Sequence, residues 1–342
     1  MESKNIQKLS KGKVKKSEVE IDVEISPETL ARHKALVLSD IKKDFGMPGF
    51  RKGMVPEAMV LQNIKAGHLL QEAAESAIRE VYPEIIAEAK IDPVTPPEIS
   101  ITKLADGNPL GIKIKVGLYP EVSLPNYKKI SKNIWDKREK SEVEDKEAET
   151  VIAEFIKTRE SSADKKNSAE LTDEDVKQFG KFENVADFKV KLKENLRLEK
   201  ETVSTKSAHD KMVRDIVEES KVELPELLVD EELRNFLADF EGRLKDGGET
   251  LEKYFERVKK SPQEVGKEQR EYVEKSLKTK FVLSEILKAE KISASPEEVE
   301  TEAVIMKNYQ AGLSEKQARG YAESMILNKK LFELLEGETP KN

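Results

Sequence analysis

The chain has 342 residues, of which 37% are apolar and 37% charged, with a formal charge of -7. That is enough apolar material for a buried core on an unusually charged scaffold, and aromatics at 6% with 16 glycines favour amphipathic helices over turn-rich sheets. The acidic balance repels nucleic acid from the molecule as a whole, so contact with RNA requires a local basic patch, and the lack of cysteine excludes disulfides, thiol nucleophiles and Cys-based zinc sites.

In chain order, "MESKNIQKLSKGKVKK" carries charge without an apolar core, and no window approaches the run of about 18 apolar residues that spans a bilayer. The expectation is a soluble cytoplasmic protein with no membrane partner. Lys13 to Ile25 alternates Val19, Ile21, Val23 and Ile25 with charged residues, the period of a half-buried strand. Ser26 then caps a helix from Pro27 that turns Leu30, Leu36 or Val37, and Ile41 inward and stops before Gly46. After the loop described below, Pro56 suits a first helical turn. Met59, Val60, Ile64 and Leu69 through Ala89 read as one or two further helices. "EISITKL" and "GIKIKVGLYPEV", joined by "ADGNP", read as a hairpin. The first 120 or so residues are therefore expected to form a small α+β domain.

Beyond Pro125, Lys137 to Arg159 reads as a charged helix and "TRESSADKKNSAELTDED" as a linker too polar to pack. Helices then restart at Asn184, Pro225, Pro262, Pro296 and Ser314, with apolar residues at helical spacing such as Leu233, Phe236, Leu237, Phe240 and Leu244, or Leu327, Leu331, Leu334 and Leu335. No strand is expected among them. Leucines turned to a core and leucines turned outward share this periodicity, so the pattern does not separate them.

Reactive groups do not converge. His33, His68 and His209 stand apart, without the i+4 partner a metal on a helix needs, and each reads as a solvated or core histidine. No phosphate loop, dinucleotide fingerprint or nucleophile elbow is present. The acidic runs Glu142 to Glu149 and Glu297 to Glu302 lack the spacing of a calcium loop and read as solvated helix faces. Trp135, the one tryptophan, reads as an anchor at an inter-domain joint.

The informative stretch is "DFGMPGFRKGMVP", Asp44 to Pro56. Phe50, Arg51 and Lys52 stand between Gly49 and Gly53, with Pro48 and Pro56 outside, which predicts a tight surface loop. Two readings are open. Phe50 could fold back over the core with its cations solvated, or the exposed ring and cations could dock on a surface of protein and RNA, with Lys42, Lys43 and Lys65 extending the positive patch.

"GFRKGMVP", Gly49 to Pro56, resembles the signature of the trigger factor family, bacterial chaperones that dock beside the ribosomal exit tunnel through this loop. "IDPVTPPEI" and "LYPEVSLP" resemble the end of the family's ribosome-binding domain. "ELTDEDVKQFGKFENVADFKVKLKENL" resembles the entry to its C-terminal domain, and "LPELLVDEEL" and "VLSEILKAEKI" resemble its later helices. The resemblance covers nearly the whole chain. It implies an α+β ribosome-binding domain over 1–122 and a mostly helical, elongated chaperone body with arms over 123–342, the latter divided into a linker and arm helix, 123–169, and a C-terminal helical domain, 170–342.

One departure stands out. Typical members carry an immunophilin-type peptidyl-prolyl isomerase domain between the first arm helix and the "ELTDEDV" stretch. Here Ser161 to Ala169 is a short polar linker, far below the ~50 residues of even a small domain. The expectation is a chaperone without the isomerase: no catalytic residue, no metal and no cofactor. Gly49, Phe50, Arg51, Lys52 and Gly53 are carried over as the ribosome-binding residues, and the implied partners are the ribosome, nascent and unfolded polypeptides, and a second copy in a weak homodimer. A SurA-like general holdase would need an export signal, and a helical scaffold would need sustained heptads; neither accounts for the loop.

Overall fold

The computed structural model describes residues 4–65, 67–161, 171–310 and 312–338. In chain order its elements are β1 (Ile6–Lys11), β2 (Glu18–Ile25), α1 (Pro27–Asp44), α2 (Glu57–Asn63), α3 (His68–Ala89), β3 (Glu98–Lys103), β4 (Leu110–Gly117), α4 (Tyr127–Asp136), α5 (Asp145–Ser161), α6 (Asp173–Phe179), α7 (Val185–Glu219), α8 (Glu226–Asp246), α9 (Leu251–Val258), α10 (Pro262–Ala289), α11 (Pro296–Tyr309) and α12 (Glu315–Glu336). The expected order, an α+β region followed by helices, is what the chain adopts. By internal packing it divides into two units: Met1–Ser123 with Val222–Phe281, and Leu124–Lys221 with Val282–Asn342.

In the first unit an antiparallel sheet runs β1-β2-β4-β3, with Ile21 opposite Ile114 and Val23 opposite Ile112. Strict alternation turns Val19, Ile21, Val23 and Ile25 to one face, where they meet Ile112, Ile114 and Val116 and the Ala73, Ala77, Val81 and Ile85 stripe of α3. The opposite face is a charge ladder: Glu20 pairs with Lys113 and Glu24 with Lys103 across the strands. Strand β2 begins at Glu18 rather than Lys13, because Lys16 and Ser17 take left-handed conformations and turn the chain back onto β1. β1 itself escapes the sequence reading, since only Ile6 and Leu9 of this edge strand reach the core. Ser26 caps α1 by accepting from the Thr29 amide, as expected. The inward residues are Leu30 and His33, with Val37 and Ile41 half-buried and Leu36 exposed.

The same unit takes in α8, α9 and most of α10. Leu228, Val229, Val273, Leu277 and Phe281 form a core against Val94, Tyr119 and Val122. Pro225 packs on Gly117, where a Cβ would stand 2.9 Å from the Pro225 ring and from Thr95 Cγ2, so glycine is required there. Pro225 offers α8 no side-chain cap; Glu18 Oε1 from β2 supplies it, accepting from the Leu227 amide at 2.8 Å.

In the second unit α4 packs on α7 and α12 on α4, with α11 on α12. The charged helix expected over Lys137–Arg159 begins only at Asp145, as α5, and residues 137–144 are a non-helical segment between it and α4. Asn126 caps α4 on the Lys129 amide, and the intervening segment is drawn onto α7 by Lys200 on the Glu142 carbonyl and Ser204 on the Glu139 carbonyl. Trp135 lies within this unit, stacked on His209 of α7, which is itself stacked on Phe332 of α12. Its expected place at an inter-domain joint is therefore corrected. The expected linker is helical at both margins: α5 runs to Ser161, and Thr172 with Asp175 forms a capping box on α6. Residues 162–169 lie outside the described residues. Ile152, Val176 and Phe188 join α5, α6 and α7 in a small core. A two-residue strand, Lys221–Val222, interrupts the expected all-helical run.

Candidate functional site

The loop between α1 and α2 is built by its glycines. Gly49 and Gly53 take φ of +91° and +82°, the left-handed region that other residues enter at a cost. Two consecutive turns follow, Phe50 N–H donating to the Met47 carbonyl at 3.0 Å and Met54 N–H to the Arg51 carbonyl at 2.9 Å. Gly53 N–H then returns to the Phe45 carbonyl at 3.1 Å and closes the base. A Cβ on Gly53 would stand 3.2 Å from the Lys43 carbonyl oxygen. The loop is thus a defined double turn, with buried Val55 as its only fully inward side chain.

Phe50, Arg51 and Lys52 are all exposed at the tip. Phe50 retains 40% of its accessible surface and does not belong to the adjoining core, so the fold-back alternative is not the one adopted. The cations differ. Lys52 Nζ lies 2.8 Å from Asp44 Oδ1, and the lysine holds the Asp44 carboxyl below its ordinary range by hydrogen bond and by charge. Among the described residues Arg51 has no ion-pair partner. Of the flanking lysines, Lys43 pairs with Asp40 at 2.7 Å, while Lys42 is half-buried and Lys65 exposed.

Sequence reasoning missed two features here. One is Asp44 as a counter-ion, which depends on the loop doubling back. The other is an apolar margin: Met54 is 71% exposed, and Met59 and Leu61 of α2 are exposed as well. Three apolar residues within eight positions, Met54 in the loop and Met59 and Leu61 on a helix of only seven residues, was the available signal.

The structure also separates the leucines that periodicity could not. In α12, Leu331 and Leu335 are buried, whereas Tyr321 and Met325 are exposed. Together with Ile305, Met306, Tyr309 and Leu313 they line a groove of about 620 Å³ between α11 and α12. Tyr309 is 90% exposed at its margin. The histidines do not meet. His33 is buried with Nδ1 2.9 Å from Ser76 Oγ, His68 faces Glu72, and His209 Nε2 lies 2.6 Å from Glu336 Oε1. Among the described residues no three His, Asp or Glu side chains group as metal ligands, and no helix is long and apolar enough to cross a membrane.

An α+β region with a glycine-bounded cationic loop, and a helical remainder that leaves an apolar groove open on a charged scaffold, is the organisation of a chaperone. The chain belongs to the trigger factor family. Residues 7–155 match the family described as bacterial trigger factor protein, and residues 184–336 match its C-terminus. The trigger factor of Carboxydothermus hydrogenoformans is 26% identical over 86% of this chain and 89% of its own length. That of Clostridium botulinum is 24% identical over 94% and 96%, and that of Clostridium kluyveri 22% over 94% and 97%. The Carboxydothermus alignment extends over 380 residues, more than the 342 of this chain, so that relative carries residues in the aligned range which this chain lacks. A solved structure, described in connection with promiscuous substrate recognition in folding and assembly activities of the trigger factor chaperone, shares the fold. Its TM-score is 0.61 at 16% identity, covering 97% of this chain and all of that one.

Proposed function

We propose that this protein is an ATP-independent, cytoplasmic chaperone that docks at the ribosomal exit tunnel and shields nascent or unfolded polypeptides on its helical body. The observation that carries the docking is the rigid double turn that presents Phe50 and Arg51 to solvent with Gly49 and Gly53 as its supports. An aromatic anchor beside a guanidinium suits a mixed surface of protein and RNA, the ring burying apolar area while the guanidinium meets phosphate or carboxylate.

In this reading residues 1–122 are the ribosome-binding domain and 123–342 the chaperone body. The groove between α11 and α12 is one place where clients bind. Its exposed Ile305, Tyr309, Tyr321 and Met325 offer several weak apolar contacts, which hold a client without sequence preference and release it without nucleotide hydrolysis. The chain has no prolyl isomerase activity. In support, the two family matches leave only residues 156–183 between them, well short of the ~50 residues of a small domain.

The test is co-sedimentation with ribosomes. Replacing Phe50, Arg51 and Lys52 together with alanine should abolish association while circular dichroism stays unchanged. A folded triple variant that still sediments with ribosomes overturns the docking role.

A further inference from the structure

We infer that Asp44 is a counter-charge built into the loop, which holds Lys52 and limits how tightly the loop grips the phosphates of ribosomal RNA. This rests on the docking role proposed above and assigns Asp44 the setting of its strength.

Asp44 is the last residue of α1, six positions before Phe50, and it meets Lys52 only because the Gly53 to Phe45 hydrogen bond folds the loop back on the helix end. The carboxylate is 2.8 Å from the ammonium, and both groups are largely exposed. An exposed pair of this kind contributes little to stability. Its location is also poor for a structural carboxylate, because the C-terminal end of a helix carries partial negative charge and favours cations. Neither burial nor the helix therefore accounts for the acid, whereas its position beside the loop tip does. Between residues 40 and 52 the chain has four cations, Lys42, Lys43, Arg51 and Lys52, and two carboxylates, Asp40 and Asp44. Each carboxylate is paired with one lysine, Asp40 with Lys43 and Asp44 with Lys52, leaving Arg51 as the tip cation without an ion pair among the described residues.

A phosphate approaching Lys52 has to displace Asp44 and then remains beside its charge. A chaperone that leaves the ribosome without nucleotide hydrolysis needs binding that is reversible on its own, and a built-in competitor supplies that.

The experiment compares the full chain with Asp44→Asn in ribosome co-sedimentation over a salt series. The variant should bind about fivefold tighter at low salt, the upper end for freeing one exposed ion pair. Its log affinity should fall more steeply with log salt, by about 0.7 to 0.9 for one further phosphate neutralised. With Lys52→Ala already present, Asp44→Asn should change binding much less, since the acid acts mainly through that lysine. Binding equal to or weaker than the parent chain overturns the inference, as does an undiminished effect without Lys52. Tighter binding at an unchanged salt slope overturns the assignment to RNA and points to a protein carboxylate. The Phe50, Arg51, Lys52 triple variant is run alongside: if it still sediments, the docking role fails, and if it does not while Asp44→Asn behaves as the parent, only the role of Asp44 fails.

Discussion

Lys330 Nζ lies 2.9 Å from Glu298 Oε2 and also donates to the Ser293 carbonyl at 3.0 Å, so one ammonium, 5% exposed, ties the start of α11 to the middle of α12. Glu298 is at the same time the third residue of the Ser295 capping box. Replacing Lys330 with methionine leaves the Ser293 carbonyl without this donor and should cost about 2 kcal/mol. A lowered urea midpoint with an unchanged slope would record it.

The same carboxylate predicts acid sensitivity. The Ser295 amide, then Lys330, hold the Glu298 carboxyl at about 2 against an ordinary value of 4.5. Its folded-state value is depressed, so the stability it contributes is complete above 4.5 and is lost as pH falls from there towards 2. Glu298→Gln should be less stable than the parent at neutral pH and should lose less on acidification, as read by helical circular dichroism.

His33 acts higher on the pH scale. Burial pushes its imidazole below 6.5, outweighing the pull of the Glu80 carboxylate, which Arg32 already grips bidentately at 2.6 and 3.2 Å. The neutral form is therefore the folded one. Stability is level above 6.5 and declines as pH drops below it, because the unfolded chain takes up the proton more readily. Denaturation midpoints on the two sides of pH 6.5 should differ in the parent, and this difference should shrink in His33→Gln.

Gly53→Ala tests the loop as a rigid device. A side chain at φ +82°, with its Cβ 3.2 Å from the Lys43 carbonyl, costs about 1 kcal/mol locally and should reopen the loop base. Ribosome association should weaken while the melting temperature changes by only a few degrees.

In the α11–α12 groove, changing Tyr309, Tyr321 and Met325 together to serine removes exposed apolar surface at little cost to the fold. Light scattering of a diluted denatured client should show weaker protection from aggregation, with ribosome co-sedimentation unaffected. Unimpaired protection would exclude this groove as a client surface.

Several elements were legible because local chemistry and tertiary structure agree on them. Ser26-Pro27 starts α1, and the alternation from Val19 to Ile25 marks a strand whose faces see core and water by turns. The glycines at 49 and 53 predict a tight loop because left-handed backbone is a property of the residue itself. Other elements depended on partners distant in sequence. β1 is an edge strand that exists by pairing with β2, and α8 receives its cap from Glu18, more than two hundred residues earlier. The non-helical course of 137–144 goes with its hydrogen bonds to α7, against a local pattern that reads as helix from Lys137.

The candidate site divides in the same way. Sequence by itself determined which residues stand at the tip, Phe50, Arg51 and Lys52, since turn chemistry and the flanking glycines and prolines are local. Only the tertiary structure decided that Asp44 is returned to Lys52, and that Leu331 is buried in the same helix that leaves Tyr321 and Met325 open. Periodicity reports the face of a helix on which a residue lies. What covers that face is set by the elements folded against it, and those are chosen by contacts that the spacing of residues along one helix does not contain.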